Sequence, residues 1–435
     1  MSAAQTELPP GTGVDGATLG GARRAITAAG IGNVLEYYDF GIYGYLATVL
    51  SRKFFPGDDP TAALLSTFGV FGVAFLARPL GGVLLGRMGD VRGRKSTLIL
   101  TITLMAVGTA GIGLIPDYGS IGIMAPILLV LCRVLQGLST GGEWGNATAF
   151  IVEWSPEGKR GFYGSFSQSS VVAGGLTASV MVALMNTVFT AGQIEDWAWR
   201  LPFLLGILLL PVGLWLRRGI GETPRFKAEQ RGESAGLADL GSPFGLMARA
   251  FGFTILWTVS YYIMLTYLPT FTQKYAGLTP AESLWSNAAG LVVLVLVIPL
   301  MGALSDRIGR KPLLLFCCVA FVVLAYPGFS LMLSVGSVWG VLAIQIGFDL
   351  VIAAFGGTGP AALVELFPTR SRTTLMSVGY AFAVAIFGGF APFIAIWLIG
   401  VTGTPLAPTF YLMAAGIVSA LTIATFRETA FERLR

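Results

Sequence analysis

Histidine is absent from the 435 residues of this chain. Histidine is the commonest metal ligand and the usual general base of nucleophilic enzymes, so both kinds of site lose their main component. Cysteine is scarce as well, and Cys132, Cys317 and Cys318 lie in apolar segments without the spacing of a disulfide framework or metal site. A phosphate-binding loop is also missing. The sequence therefore predicts no enzymatic activity, no metal and no cofactor.

Charged residues are scarce as well. Only 12% of the residues are charged, 54% are hydrophobic and the mean hydropathy is +0.74, whereas a soluble domain carries about 25% charged residues. Such a chain cannot cover itself with polar surface, so the lipid bilayer is its expected surrounding. The net charge of +5 comes from Lys and Arg spread through short loops. This pattern favours retention of positive loops on the cytoplasmic side over binding to nucleic acid.

Apolar segments of about 20 residues, long enough to cross a bilayer as a helix, recur along the chain. Twelve are predicted, at residues 26–50, 63–86, 96–115, 121–153, 161–189, 199–217, 247–273, 283–304, 312–334, 337–364, 372–401 and 408–426. We expect a disordered tail (1–24), a six-helix bundle (25–217), a cytoplasmic linker (218–246), a second six-helix bundle (247–427) and a short tail (428–435). The fold class predicted is an all-α membrane protein.

Loop charge predicts the orientation of the helices. Lys and Arg concentrate in alternate loops and in both tails, and the other loops hold only Arg52, Lys53, Arg200 and Lys274. Positive loops stay on the cytoplasmic side, so both termini are expected in the cytoplasm. Arg78 and Arg133 fall inside predicted helices instead.

The two sets of six segments repeat each other. The sequence Gly-x-x-x-Asp-x-x-Gly-Arg-Lys at 86–95 returns at 302–311, an offset of 216 residues. Glu153, Pro156 and Arg160 return as Glu365, Pro368 and Arg372 at an offset of 212. Matched loops in two six-helix halves are typical of a parallel internal duplication, which predicts two pseudo-symmetric bundles.

Two carboxylates lie inside the first apolar segment, in the stretch Asn33-Val-Leu-Glu-Tyr-Tyr-Asp-Phe-Gly-Ile-Tyr43. At about 100° per residue, Asn33, Glu36, Asp39 and Tyr43 share one helix face. A rise of 1.5 Å per residue puts Glu36, Asp39 and Arg133 near the bilayer midplane. Charge at that depth costs several kcal/mol unless it meets a partner or a cavity, so these residues are functional candidates.

These features resemble the major facilitator superfamily over essentially the whole chain, with the loop at 86–95 as its signature. Within it the chain is similar to the metabolite:proton symporters, the group of the proline/betaine, α-ketoglutarate, shikimate and citrate permeases. The stretches that carry this match are 32–40, 75–82, 133–143 and 197–203. The resemblance implies alternating access in a bacterial inner membrane, driven by the proton gradient, with the protein acting as a monomer.

Proton coupling is expected from Glu36, Asp39 and Glu143. In this hypothesis, a carboxylate that loses its proton pairs with Arg133, and protonation frees the guanidinium for an anionic substrate. Sodium coupling is an alternative. A permanent ion pair between the first and fourth helices is the competing structural interpretation. Arg78 is assigned a structural role, and pairing between Arg78 and Glu143 is a further option.

A second group of side chains is predicted to line the substrate site near the midplane. These are Tyr37, Asp39, Tyr43, Arg133, Gln136, Gln168, Trp257, Tyr261, Tyr262, Gln345 and Asp349. The aromatic members combine apolar area with a polar tip, although interfacial anchoring is the commoner use of Tyr and Trp in membrane proteins. Asp349 would accept a hydrogen bond from a substrate amine or hydroxyl, or would form an ion pair with an arginine.

The repeated loops are predicted to control access from the cytoplasm. The residues assigned to this gating role are Asp90, Arg94, Glu153, Arg160, Asp306, Arg310, Glu365 and Arg372. The aspartates would contact the positive amino-terminal end of a facing helix, and the arginines would bridge to Glu153 and Glu365. These contacts would form only while the cytoplasmic side is closed. Positive-inside topology alone is the competing explanation.

The function predicted from all of this is proton-coupled symport of a small carboxylate-bearing metabolite by alternating access. A zwitterionic compatible solute such as proline or a betaine is the alternative substrate, because the aromatic residues of the seventh segment suit an onium group. A membrane sensor or channel is the hypothesis from a different class.

Overall fold

A computed structural model describes residues 16–92, 94–141, 143–153, 155–208, 211, 243–367 and 372–432, and all regular structure within these ranges is helical. The first half contains α1 (Gly16–Tyr45, continued as Ala47–Phe54), α2 (Pro60–Arg92), α3 (Arg94–Leu114), α4 (Met124–Ser139 and Glu143–Glu153), α5 (Arg160–Val188) and α6 (Leu201–Leu205, then a 3-10 turn Gly206–Leu208). Short helices at Tyr118–Ile121, Ala191–Asp196 and Ala198–Arg200 connect them.

The second half repeats this order. It contains α7 (Pro243–Tyr261, a π-helical turn Tyr262–Tyr267, and Leu268–Tyr275), α8 (Pro280–Ile308), α9 (Arg310–Val335), α10 (Val338–Glu365), α11 (Arg372–Ala383, a π-helical turn Val384–Gly388, and Ala391–Thr402) and α12 (Ala407–Ala424). Eight helical stretches in the described ranges are long and apolar enough to cross a membrane, and Ile99–Leu114 and Met124–Ser139 are shorter apolar helices.

Two predicted boundaries need correction. The helix α1 begins at Gly16, so residues 16–24 are helical and not a disordered tail. The predicted single span at 121–153 is two helices, because α4 is interrupted after Ser139. Residues 1–15 and nearly all of the predicted linker lie outside the described ranges.

The two halves meet mainly where α5 packs along α8 and α10 and where α2 packs against α11. At one end of the bundle, Gly161 of α5 and Gly302 of α8 approach so closely that a Cβ on Gly161 would lie 2.5 Å from the Gly302 carbonyl oxygen. Small residues permit this backbone contact between membrane helices. We name this end, where α12 ends and α9 begins, the terminal face, and the opposite end the distal face.

Candidate functional site

A narrow cavity of ≈ 20 Å³ lies between the two halves at the middle of the bundle. Its wall is mostly aromatic and is formed by Tyr37, Gln168, Val171, Trp257, Thr258, Tyr261, Tyr262 and Tyr380. Its volume is only slightly above the 10–15 Å³ or so that one water molecule requires, so the cavity is too small for an organic substrate in this conformation. The helices α1 and α5 contribute from the first half, and α7 and α11 from the second.

Aromatic contacts close this cavity towards both faces. On the side of the terminal face, Trp144 of α4 stacks on Tyr380 of α11 with ring centroids 4.1 Å apart. Towards the distal face, Phe68 of α2 meets Tyr267 of α7 edge-on at 6.0 Å, and Tyr45 donates a hydrogen bond to the Leu265 carbonyl at 3.0 Å. The two halves are therefore in contact on both sides of the cavity, which is an occluded arrangement.

Beside the cavity, Glu36 of α1 forms a buried ion pair with Arg78 of α2, with Oε1 and Nη2 3.1 Å apart. The Arg78 guanidinium also lies over the rings of Phe40 and Phe75, at 4.6 and 4.3 Å from their centroids. The partner of Arg78 in this structure is thus Glu36. The side chain of Glu143, the alternative partner considered from the sequence, lies outside the described residues.

Arg133 is enclosed by aromatic rings. Its guanidinium lies 4.4 Å from the ring centroid of Tyr43 and 4.8 Å from that of Phe40, and the side chain is fully buried. It donates hydrogen bonds to Gln136 Oε1 at 2.7 Å and to the Phe71 carbonyl at 3.5 Å. The direct ion pair expected between Arg133 and an α1 carboxylate is absent from the described ion pairs.

Asp39 is buried close to Arg133 but reaches it only indirectly. Thr109 of α3 donates a hydrogen bond to Asp39 Oδ2 at 2.7 Å, and Gln136 Nε2 donates to Thr109 Oγ1 at 2.8 Å. The other carboxylate oxygen, Oδ1, has no hydrogen-bond partner among the described residues and faces Gly206 of α6. Asp39 is therefore connected to the first half of the bundle through Thr109.

Gln345 and Asp349 form a second polar group, on α10 and away from the aromatic cavity. Gln345 donates to Asn287 Oδ1 at 3.2 Å and accepts from Ser286 Oγ at 3.3 Å, so it bridges α10 to α8. Asp349 is fully buried, and neither of its oxygens has a hydrogen-bond partner in the described part of the chain. A buried carboxylate without a hydrogen-bond partner is costly to keep ionised.

The terminal face is closed by four charged residues that we name the terminal-face clamp: Arg160, Asp306, Arg310 and Glu365. Asp306 accepts hydrogen bonds from the backbone N–H groups of Gly161 and Phe162, at 2.8 and 2.9 Å, across the interface between the halves. Glu365 Oε1 lies 3.1 Å from Arg160 and 3.2 Å from Arg310. The amino-terminal end of a helix carries a partial positive charge, so the Asp306 carboxylate is stabilised beside the first turn of α5.

The structure says less about the contacts of the other four residues predicted to control access. Glu153 is half-buried, and the side chains of Asp90, Arg94 and Arg372 lie outside the described residues. The contacts of the repeated loop are therefore described for the copy between α8 and α9, through Asp306 and Arg310. The side chains of the matching copy between α2 and α3 lie outside the described residues.

Replacing Asp306 with asparagine is expected to open the terminal face. The amide carries no charge and offers one acceptor oxygen, so one hydrogen bond to the start of α5 and the ion pair with Arg310 at 2.8 Å are lost. Hydrogen bonds to charged groups contribute about 1.5–3 kcal/mol, so the open population should rise by roughly tenfold or more. A cysteine at Ser165, in a cysteine-free background, would report this as faster labelling by a membrane-impermeant maleimide.

The matched control is Glu282→Gln, which removes the carboxylate of the capping box at the start of α8 on the distal face. Its bonds stay within one half, so Ser165→Cys should be labelled at the unaltered rate. Equal labelling rates for both variants would show that Asp306 does not hold the halves together.

The segment after α12 packs against the same clamp. Glu428 accepts hydrogen bonds from the backbone N–H groups of Arg310 and Lys311 at 2.8 and 3.0 Å, and Thr429 donates to Glu365 Oε2 at 2.6 Å. Partial burial pushes the pKa of Glu428 upward, but these N–H donors outweigh it, and the pKa lies below its usual value. The contact is therefore complete at neutral pH and weakens when the pH falls through that pKa.

The chain matches the family model "Sugar (and other) transporter" over residues 25–240 and 247–435. It is also 36% identical over 429 residues to the proline/betaine transporter of Escherichia coli strain K12, covering 95% of this chain and 85% of that protein. The chain belongs to the sugar (and other) transporter family. This transporter is not an enzyme, and its relatives move small molecules across membranes.

Other relatives of this transporter differ in what their names say they carry. The glycine betaine/proline/ectoine/pipecolic acid transporter OusA of Dickeya dadantii is 38% identical over 95% of this chain and 85% of its own length. The citrate-proton symporter of Klebsiella pneumoniae is 34% identical over 95% of this chain and 94% of its own length. Family membership therefore leaves the substrate class of this transporter to be argued from its site.

Solved structures of the xylose transporter XylE share the fold. The major facilitator superfamily proton:xylose symporter XylE, bound to 6-bromo-6-deoxy-D-glucose, gives a TM-score of 0.77 at 17% identity, covering 96% of this chain and 98% of that one. A partially occluded inward-open form from E. coli gives 0.73 at 18% identity, covering 95% and 99%. This transporter thus shares the fold of that symporter, and its described residues form the helices α1–α12 that its sequence predicts.

The structure brings only part of the predicted substrate-binding group to the cavity of this transporter: Tyr37, Gln168, Trp257, Tyr261 and Tyr262. Tyr43, Arg133, Gln136 and Asp39 form a neighbouring group within the first half, and Gln345 and Asp349 lie between α8 and α10. Tyr380, Trp144 and Thr109 are not among the residues predicted from the sequence. Only Thr109 had a signal, since it lies among the small residues Gly108, Ala110 and Gly111.

A larger cleft of ≈ 690 Å³ lies on the distal side. Its lining residues lie at separate positions between Phe54 and Leu131, among them Asp58 and Tyr118. All of them belong to the first half. A substrate site in this superfamily lies at the interface of the two repeats, so this cleft does not take that role.

Proposed function

We propose that this chain is a proton-coupled symporter that imports a small zwitterionic compatible solute of the proline or betaine kind. The observation that carries this proposal is the aromatic wall of the central cavity, with Trp257 and four tyrosines. Aromatic faces attract onium groups, by about 2 kcal/mol or more where water is excluded. A carboxylate-bearing metabolite without a cationic group would gain no cation–π attraction from such a wall.

Arg78 supports the same substrate chemistry, because it could bind the carboxylate end of a zwitterion. Three of the cavity tyrosines, Tyr37, Tyr262 and Tyr380, lie within electrostatic reach of its guanidinium. A zwitterion would place its onium group against the aromatic wall and its carboxylate towards Arg78, which would share its charge between Glu36 and the substrate. Arginine suits this role because its planar group binds two carboxylates at once through separate N–H donors.

Coupling to protons is assigned to Asp39. It is buried, one of its oxygens has no hydrogen-bond partner among the described residues, and the chain has no histidine. A buried carboxylate whose surroundings change between two conformations releases its proton on one side and regains it on the other. The name of the citrate-proton symporter among the relatives is compatible with proton coupling. We further propose that the terminal face is cytoplasmic and that the membrane is the bacterial inner membrane.

The test is uptake into proteoliposomes under an imposed proton gradient, comparing glycine betaine, proline, citrate, α-ketoglutarate and shikimate. We expect glycine betaine or proline to accumulate. Tyr261→Leu should raise the KM for the preferred zwitterion by about 10- to 30-fold, because it removes a ring from the desolvated wall. Tyr261→Phe keeps the ring and should stay within about threefold of the parent.

A control for loss of a ring elsewhere is Trp339→Leu, since Trp339 is 77% exposed and remote from the cavity. Its KM should equal that of the parent. Preferred uptake of citrate, or equal KM values for Tyr261→Leu and Tyr261→Phe, would overturn the zwitterion proposal.

Symport of an organic anion is the second candidate function. Arg133 favours it, because this buried cation has no carboxylate in direct contact among the described residues. A dianionic or trianionic substrate could reach it if the aromatic cage opened. In the same uptake panel this candidate predicts accumulation of a di- or tricarboxylate and no accumulation of glycine betaine.

A further inference from the structure

A line of three buried hydrogen bonds joins Arg133 to Asp39. Arg133 Nη1 donates to Gln136 Oε1 at 2.7 Å, Gln136 Nε2 donates to Thr109 Oγ1 at 2.8 Å, and Thr109 donates to Asp39 Oδ2 at 2.7 Å. Arg133, Gln136 and Thr109 are fully buried, and Asp39 is 4% exposed. Every donor points from the cation towards the carboxylate, so each bond polarises the next.

The hydroxyl of Thr109 is the only link in this line with a choice of acceptor. Besides Asp39 Oδ2, the carbonyl of Met105 lies within reach at 3.0 Å. A hydroxyl has one proton to donate and two lone pairs to accept with. It can therefore donate to only one of these oxygens at a time, while it continues to accept from Gln136.

Protonation of Asp39 decides which acceptor Thr109 uses. While Asp39 is ionised, the Thr109 hydroxyl donates to Oδ2. When a proton binds Oδ2, the new O–H bond donates to Thr109 Oγ1, and the threonine proton turns towards the Met105 carbonyl without leaving its oxygen. A proton on Oδ1 would find no acceptor among the described residues, since that oxygen faces Gly206. Oδ2 is thus the favoured site.

The charged and titratable groups around Asp39 leave this line as its main connection to positive charge. Arg133 on α4 is the cation that acts on it, and Glu36 and Tyr38 are its titratable neighbours on α1. The helix α3 offers Thr109, and α6 between Leu201 and Leu208 offers the uncharged Gly206.

The sequence around Thr109 explains how α3 comes close enough to α4. A Cβ on Gly108 would lie 2.8 Å from Gln136 Cγ, and one on Gly111 would lie 2.8 Å from Cys132 Sγ. Larger residues at these positions would push α4 away and break the bond between Gln136 and Thr109. The small residues therefore serve the hydrogen-bond line as well as the packing.

We propose that Thr109 is a positioning residue that transmits the protonation state of Asp39 to Arg133. With Asp39 ionised, the polarised line holds Gln136 and the guanidinium in the arrangement observed. With Asp39 protonated, Thr109 reverses its role towards the carboxyl group, and Arg133 loses its link to a negative charge. This proposal rests on the proposed function, since it requires that Asp39 carries the transported proton.

The test compares Thr109→Val with Thr109→Ser in the full chain, reconstituted in proteoliposomes. Valine keeps the shape of threonine and removes the hydroxyl, whereas serine keeps the hydroxyl. A hydrogen bond to an ionised group is worth about 1.5–3 kcal/mol and one to a neutral group about 1 kcal/mol; valine removes both, so the difference corresponds to about one pH unit. We expect Thr109→Val to move the pH midpoint of uptake upward by about one unit, and Thr109→Ser to leave it close to the parent value.

Gradient-free exchange of labelled substrate shows whether each variant is folded, and Thr103→Val is the matched control. Thr103 lies on the same helix, and its hydroxyl donates to the Ile99 carbonyl as its one hydrogen bond within the described part of the chain. An unchanged midpoint in Thr109→Val, or equal shifts in the valine and serine variants, would overturn the proposal. If Thr109→Val lacks exchange, Thr109→Ala is measured under the same criteria, and its loss of exchange too would assign Thr109 to packing. A parent protein whose uptake ignores the proton gradient would overturn the proposed function itself.

Discussion

Replacing Asp39 with asparagine is expected to abolish accumulation of substrate against its gradient while gradient-free exchange continues. The amide resembles a protonated carboxylate in shape and hydrogen bonding, so the helices can pack as they do here, but it cannot release a proton. The accumulation ratio under an imposed proton gradient should fall to about one, since a proton no longer drives the cycle. The measurement is steady-state uptake and counterflow in the same proteoliposome preparation.

The control for this variant is Asp58→Asn, because Asp58 is exposed in the loop between α1 and α2. Accumulation by Asp58→Asn should match that of the parent. Continued concentration of substrate by Asp39→Asn would show that another group carries the proton. Loss of both uptake and exchange would show that the ionised form of Asp39 is needed for structure.

Breaking the ion pair between Glu36 and Arg78 is expected to have the largest effect on stability. Both side chains are buried, so Glu36→Gln leaves the Arg78 guanidinium without its anion in a low-dielectric setting. Removing one partner of a buried pair costs about 3–5 kcal/mol, which corresponds to a fall of roughly 10 °C in Tm. The double variant Glu36→Gln/Arg78→Gln removes both charges and should regain most of this loss.

Thermal unfolding in detergent measures these differences, with and without a saturating zwitterionic substrate. Substrate should stabilise Glu36→Gln more than the parent, because its carboxylate would supply the missing anion to Arg78. The exposed pair between Arg52 and Glu195 offers a control, and Glu195→Gln should change stability by less than about 1 kcal/mol. A Tm for Glu36→Gln within about 2 °C of the parent would contradict the buried-pair account.

Hydropathy and the internal repeat were sufficient to predict the helical architecture. Length and apolarity of a segment determine whether it can cross a bilayer, and the matched loops at 86–95 and 302–311 predict two equivalent halves. The contacts of Asp306 with the start of α5 and of Arg310 with Glu365 also follow the expectation from the sequence. Such contacts are predictable because a carboxylate near a helix start has few other favourable positions.

The partners of the buried charges could not be predicted in the same way. Depth along a helix places Glu36, Asp39 and Arg133 at a similar level, but it says nothing about which neighbour each side chain faces. That choice depends on the rotation of α1 against α2 and α4, which brings the rings of Phe40 and Tyr43 over Arg133. Thr109 escaped notice because a threonine in an apolar helix usually bonds to its own backbone, as it also does here through Met105.

The π-helical turn Tyr262–Tyr267 stores one extra residue in the middle of α7. If that residue were absorbed into regular α-helix, everything beyond it would rotate by about 100° around the helix axis. Such a rotation would carry Tyr267 away from Phe68 of α2 and open the distal face without tilting α7 as a whole. Opening of this face would then be a screw motion of half a helix, and deleting one residue within the turn would imitate it permanently.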